Sequence, residues 1–131
     1  MKKIKIITQS GEFFANLSED CPVTTKAIWE ALPIEAKVQT WGDEIYFSIP
    51  VDVAEENAKE VVNLGDLGYW PPGAAFCIFF GKTPASKGDE IRPASRVNVF
   101  GALKKINSEI IAKLRQVSSR DTIRVEKVPE K

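Results

Sequence analysis

Apolar residues recur at every second position through most of this chain and at helical spacing in two places, a pattern that predicts short strands with two helices. Ile4 and Ile6 alternate with Lys3 and Lys5; after a Gln9-Ser-Gly11 turn, Phe13, Ala15 and Leu17 alternate with Glu12, Phe14 and Asn16, which predicts an opening hairpin. Val23, Ala27, Ile28, Ala31 and Leu32 then follow a helical period, with Ser18 or Asp20 as the cap, Pro22 in the first turn and Pro33 as the stop. Ala36, Val38 and Thr40 against Lys37, Gln39 and Trp41 form a strand. Gly42-Asp43 turns it, and Ile45, Phe47 and Ile49 return until Pro50.

The polar, acidic stretch from Asp52 to Lys59 fits a helical turn or a loop, and Val61 to Leu64 reads as a short strand. Gly65-Asp-Leu-Gly-Tyr-Trp-Pro-Pro-Gly73 is a strand fragment opening into a rigid turn, because Pro71 and Pro72 fix φ. Phe76-Cys-Ile-Phe-Phe80 is apolar on both faces, as a central strand covered on each side must be. Lys82 to Arg96, rich in Pro, Ser, Gly and charge, is a loop, and Val97, Val99 and Phe100 resume a strand. Asn107 or Ser108 caps a second helix with Ile110, Leu114 and Val117 as its buried stripe and Ile106 stapled onto Ile111. Thr122 to Val128 closes the sheet with Ile123 and Val125 inward.

About eight short strands with two helices predict a mainly β fold, a closed or nearly closed barrel, because closure removes the exposed edges of an all-β chain. The helices would cover its ends. Residues 1–128 form a single expected domain, followed by a short tail at 129–131.

Composition narrows the functional classes. The 131 residues suffice to bury about two thirds of the unfolded surface, so the fold requires neither metal nor disulfide. Eighteen acidic and eighteen basic residues cancel without forming a basic stripe, which disfavours nucleic acid and anionic lipid. The start, Met1-Lys-Lys-Ile-Lys-Ile-Ile, is too short and too broken by Lys5 for a signal peptide or membrane span, so the expected location is cytoplasmic. Cys21 and Cys77 read as reduced thiols, Cys77 as a core hydrophobe and Cys21 as a capping or surface residue at a helix start. The absence of histidine removes Ser-His-Asp and Cys-His relays and most zinc sites. No motif calls for a metal or cofactor, and none indicates an oligomeric state.

Val97-Asn-Val-Phe-Gly101 resembles the His-Val-Val-Phe-Gly pattern of cyclophilins, Ala102 to Val117 resembles their following strand end and helix, and Phe76 to Thr83 resembles their Phe-Phe-Ile-Cys-Thr-Ala-Lys-Thr strand. Ile45-Tyr-Phe-Ser-Ile-Pro50 is more loosely similar to Phe-His-Arg-Val-Ile-Pro. With Gly42-Asp-Glu-Ile-Tyr-Phe, Gly65-Asp-Leu-Gly-Tyr-Trp-Pro-Pro-Gly and Arg92-Pro-Ala-Ser, the whole chain looks still more like the small prokaryotic cyclophilin-like proteins of unassigned function.

The resemblance implies a cyclophilin-like barrel, and it also shows what is missing. Cyclophilins hydrogen-bond the proline amide nitrogen with an arginine, lowering a rotation barrier of about 18–20 kcal/mol. On this chain the arginine position falls on Phe47, the pocket phenylalanine on Cys77, the pocket tryptophan on Ala85 or an inserted residue, and the pocket histidine on Val97. The favoured expectation is therefore a non-catalytic module binding a peptide or small molecule in a cleft of Tyr46, Phe47, Tyr69, Trp70, Phe76 and Arg92. The alternative is a divergent peptidyl-prolyl isomerase in which Arg92 or Arg96 substitutes for the missing arginine. Arg92 also has a plain role open to it, as a loop anchor on Asp89 or Glu90, and Asp43 and Glu44 read as turn-satisfying acids.

Overall fold

Residues 2–129 are described in a computed structural model, in which alternation and helical spacing become nine strands and two helices. The strands are β1 (Lys3–Thr8), β2 (Gly11–Leu17), β3 (Ile34–Lys37), β4 (Gln39–Thr40), β5 (Glu44–Ser48), β6 (Asp66–Trp70), β7 (Ala75–Phe79), β8 (Asn98–Leu103) and β9 (Thr122–Lys127); the helices are α1 (Pro22–Ala31) and α2 (Ser108–Arg115). One antiparallel sheet runs β3-β9-β1-β2-β8-β6-β7-β5-β4. Its two edge strands, β3 and β4, are separated only by Val38, whose N–H donates to Asp121 O at 2.9 Å and whose carbonyl accepts from Arg120 N at 2.8 Å. A single bent stretch thus pairs with β9 at its start and with β5 at its end, nearly closing the sheet into a barrel. Counted as one strand it brings the number to the expected eight.

The helices sit at opposite ends of β1. Trp29 of α1 lies against the Lys2 and Lys127 ammonium groups at 5.3 and 5.1 Å, beside the start of β1. Lys113 O of α2 accepts from Ser10 Oγ at 2.7 Å, just past the end of β1. Ile28 and Leu32 from one end, and Leu114 and Val117 from the other, join the interior cluster built on Ile4, Ile6, Phe47, Tyr69, Phe76, Ile78 and Phe100.

Several local expectations are corrected. Neither Ser18 nor Asp20 caps α1; Cys21 occupies the cap position without a side-chain bond, and Glu56 reaches across from the 49–58 segment to do the work. Its carboxylate accepts from Val23 N at 3.0 Å, Thr24 N at 2.9 Å and Thr24 Oγ1 at 2.7 Å. The buried face of α1 is Thr24, Thr25 and Ile28, while Val23 is exposed, because Thr24 is held inward by Glu56 and Asn98. Cys21 is buried and donates to Glu56 O at 3.1 Å; burial and the negative charges of Glu56 and Asp20 push its thiol up, so the helix start does not activate it. Asn107 caps α2 as expected, accepting from Ile110 N at 2.9 Å.

Val61 to Leu64 is not a strand. Only Val62 bridges, to Ile91, while Val61 and Leu64 are exposed. The 52–59 segment carries no helix, contributing one bridge at Lys59 to Val97. These two bridges hold the 54–64 and 82–96 segments against the outside of the barrel, where Val62, Ile91 and Val97 pack on Ala75, Cys77 and Phe79 in a second, smaller core. That outer core explains why β7 is apolar on both faces. No helix among the described residues is long and apolar enough to cross a membrane, and no cluster of three or more acidic or thiol side chains among them is placed to hold a metal. Residues 130 and 131 of the expected tail lie outside the described residues.

Candidate functional site

The period of two along a strand decides which side chains reach which face. Ile45 and Phe47 point into the barrel, so Glu44 and Tyr46 point out; Phe76 and Ile78 point in, so Cys77 and Phe79 point out. Tyr46 stands opposite Cys77, which in turn stands opposite Gly68. A Cβ on Gly68 would lie 2.9 Å from Val97 Cγ2, so only glycine lets Val97 settle onto the sheet there. Pro93 and Ala94 of the 82–96 segment arch over this surface, and Trp70 Nε1 donates to Ser95 Oγ at 2.6 Å to fasten the arch.

Beneath the arch is a cavity of about 130 Å³ lined by Trp41, Glu44, Tyr46, Trp70, Cys77, Pro93, Ala94 and Val97. Three half-buried aromatic rings form much of its wall. The hairpin turn that delivers Trp41 and Glu44 is clamped: Trp41 N donates to Glu44 O at 3.0 Å and Asp43 N to Lys82 O at 2.9 Å, while Gly42 adopts φ +63° with no room for a Cβ against Lys82 O. Asp43 faces away from the cavity, accepting from Arg115 Nε at 3.2 Å and Nη2 at 2.8 Å.

Glu44 is the unusual member. It is 6% exposed, and its Oε1 has no hydrogen-bond partner among the described residues. The polar group beside it is the Cys77 thiol, which has Ala75 O at 3.8 Å as another acceptor. Burial in this apolar setting pushes the Glu44 carboxyl up to about 7, the thiol offsetting only part of the effect. The same burial, with the charge of Glu44, pushes the Cys77 thiol well above its ordinary range, so it is not a ready nucleophile. The arrangement is a neutral or singly charged carboxyl, poised near neutrality, at the base of an aromatic slot.

The expected cleft residues divide between two faces. Tyr46 and Trp70 line the cavity. Phe47, Tyr69 and Phe76 turn inward: Phe47 stacks on Phe76 at 4.9 Å, Phe76 meets Phe100 edge-on at 5.1 Å, and Tyr69 donates to Val51 O at 2.7 Å. Arg92 and Arg96 line a neighbouring open groove with Glu55 and Glu60, which shares only Pro93 and Ala94 with the cavity. There Arg92 pairs with Glu90, and Arg96 with Glu60 at 3.5 Å. Cys77 and Val97, the positions given to a cyclophilin phenylalanine and histidine, do face the cavity; the β5 position sharing their face is Tyr46 rather than Phe47.

Trp41, Glu44, Cys77, Pro93, Ala94 and Val97 belong to this site without having been picked out as ligand contacts. The available signal was parity: Glu44 and Tyr46 are two apart and so share a face, and their partners on β7, Phe79 and Cys77, are apolar.

The description "Cyclophilin-like" belongs to the family model that matches residues 2–126. The chain belongs to the cyclophilin-like family. Among solved structures, this cyclophilin-like protein is similar to the hypothetical protein AF2241 from Archaeoglobus fulgidus, at 43% identity and a TM-score of 0.80, covering 97% of this chain and 95% of that one. McbB, solved in complex with tryptophan, shares the fold at 18% identity and a TM-score of 0.71, over 98% of this chain and 45% of McbB. No curated protein matches the sequence.

Proposed function

We propose that this cyclophilin-like protein is a binding module for a small molecule, seated in the slot between Trp41, Tyr46 and Trp70 over Glu44. One observation carries the reading: Glu44 is buried with Oε1 unpartnered among the described residues. Leaving a buried polar atom without a partner costs about 1–3 kcal/mol, and proteins satisfy nearly all such atoms unless a ligand, ion or reaction uses them. The walls fit the same reading, since aromatic rings around one convergent polar group are the usual makeup of a ligand pocket. The volume, about 130 Å³, favours a small molecule over a peptide, for it approaches the roughly 150 Å³ cavity that holds benzene in an engineered core.

The isomerase alternative draws less support. Both arginines it requires are engaged by carboxylates in the adjoining groove, outside the lining of the aromatic slot. Shift mapping of the ¹⁵N-labelled protein with single-ring fragments at millimolar concentration tests the binding reading. The indole resonances of Trp41 and Trp70 and the amides of residues 93–97 are expected to move, with Trp29 as an unmoved control. Shifts confined to residues outside the slot, or none at all, would remove the support.

A further inference from the structure

We propose that the slot selects a protonated amine carried on a single flat ring, the ammonium pairing with Glu44 and the ring lying among Trp41, Tyr46 and Trp70. This deepens the binding reading above and rests on it. The first ground is charge. The lining holds one carboxyl and no basic side chain. On the surrounding elements Arg115 pairs with Asp43, Lys82 with Asp89 at 3.7 Å, Arg92 with Glu90 and Arg96 with Glu60, and neither these cations nor Lys87 of the 82–96 segment line the slot. Glu44 is thus a carboxyl with no basic side chain beside it in the lining of the slot.

The second ground is the walls. Aromatic faces attract a cation, the more so when it is desolvated, and they disfavour the second negative charge that a carboxylate or phosphate ligand would bring beside Glu44. A neutral ligand with a carbonyl would instead use Glu44 as a donor, in its protonated form. These two modes have opposite pH dependence. Burial holds the Glu44 proton up to about pH 7, so an ammonium entering below that pH must first displace it, while a neutral acceptor needs it retained. Of the other groups facing the carboxyl, the Tyr46 phenol and the Cys77 thiol, the thiol is pushed well above its ordinary range by burial and by the charge of Glu44, so it keeps its proton over this range.

Calorimetry and shift mapping of the full chain with benzylamine, benzyl alcohol and benzoate, at pH 6 and pH 8, separate the possibilities. Benzylamine is expected to bind at least tenfold more tightly than benzyl alcohol at pH 8, to weaken several-fold at pH 6, and to move the Trp41 and Trp70 indoles. Glu44→Gln, which keeps the shape of an unpartnered side chain, is expected to abolish the amine preference while benzyl alcohol still binds. The pH dependence of the wild type reads the same claim without any substitution. Benzyl alcohol or benzoate matching benzylamine at pH 8, or a preference that survives Glu44→Gln, would overturn the amine inference and leave the slot as a binding site. If none of the three moves the pocket resonances, both readings fall.

Discussion

Glu44 shows how one side chain acquires its chemistry from strand parity. It begins β5 on the outer face, and that face is covered by the 82–96 segment instead of by water. The unfolded chain releases its proton near 4.5, the folded chain near 7. Below about 4.5 both states hold the proton, and between the two values only the folded state does, so this contribution to stability is full at low pH and is lost as pH rises through 7. The gap between 4.5 and about 7 corresponds to roughly 3 kcal/mol. Urea unfolding is expected to show wild type losing up to that amount, relative to Glu44→Gln, between pH 4 and pH 8. Parallel curves would mean that the carboxyl is solvated. Gly68→Ala acts on the same site from β6, since its Cβ would press on Val97 at 2.9 Å and Phe79 at 3.2 Å. A loss of about 1–3 kcal/mol is expected from such overpacking, and an unchanged midpoint would show that Val97 yields freely.

Among elements, α1 depends on a segment that has no regular structure. Glu56 supplies the cap that α1 lacks, and Asn98 locks Glu56 in place by accepting from its N–H at 2.8 Å while donating to Thr24 Oγ1 and Ala54 O at 3.0 Å each. Burial pushes the Glu56 carboxyl up, but the bonds from Thr24 and Val23 outweigh it and hold it below the usual range. Glu56→Ala is expected to cost about 1–2 kcal/mol and to leave the Trp41 and Trp70 indole resonances in place, because the cap lies beside α1 and not beside the slot. Equal stability of the two proteins would contradict this role. Alternation made the strands legible, since an inward Ile6 or Phe47 is marked by its polar neighbours. The cap was not legible, as nothing local marks Glu56 as the partner of a helix more than thirty positions earlier. Val61 to Leu64 misled because its apolar residues divide between an outer contact at Val62 and exposed positions, which hydropathy alone does not distinguish from a strand.

For the whole molecule, barrel closure followed from strand number and the family resemblance, but the face that carries the candidate slot did not. Tyr69, Trp70, Phe76 and Phe47 read as one aromatic group in the chain, and the sheet sends three of them inward and one outward. Parity within each strand was readable; which parity faced the outer slot depended on the loop that folds over it. Arg92 was readable as a loop anchor on Asp89 or Glu90, and it pairs with Glu90. With its arginines committed in the neighbouring groove, the protein is expected to leave exchange of an X-Pro peptide at its uncatalysed rate in two-dimensional NMR; acceleration lost on Arg92→Ala would restore the isomerase reading.

The measurement nearest the heart of the matter is a ¹³C-detected titration of the Glu44 side-chain carboxyl, assigned by its disappearance in Glu44→Gln. A midpoint of about 7 is expected, the value that burial in the aromatic slot imposes. A midpoint in the ordinary range near 4.5 would place the carboxyl in water and contradict the existence of the site.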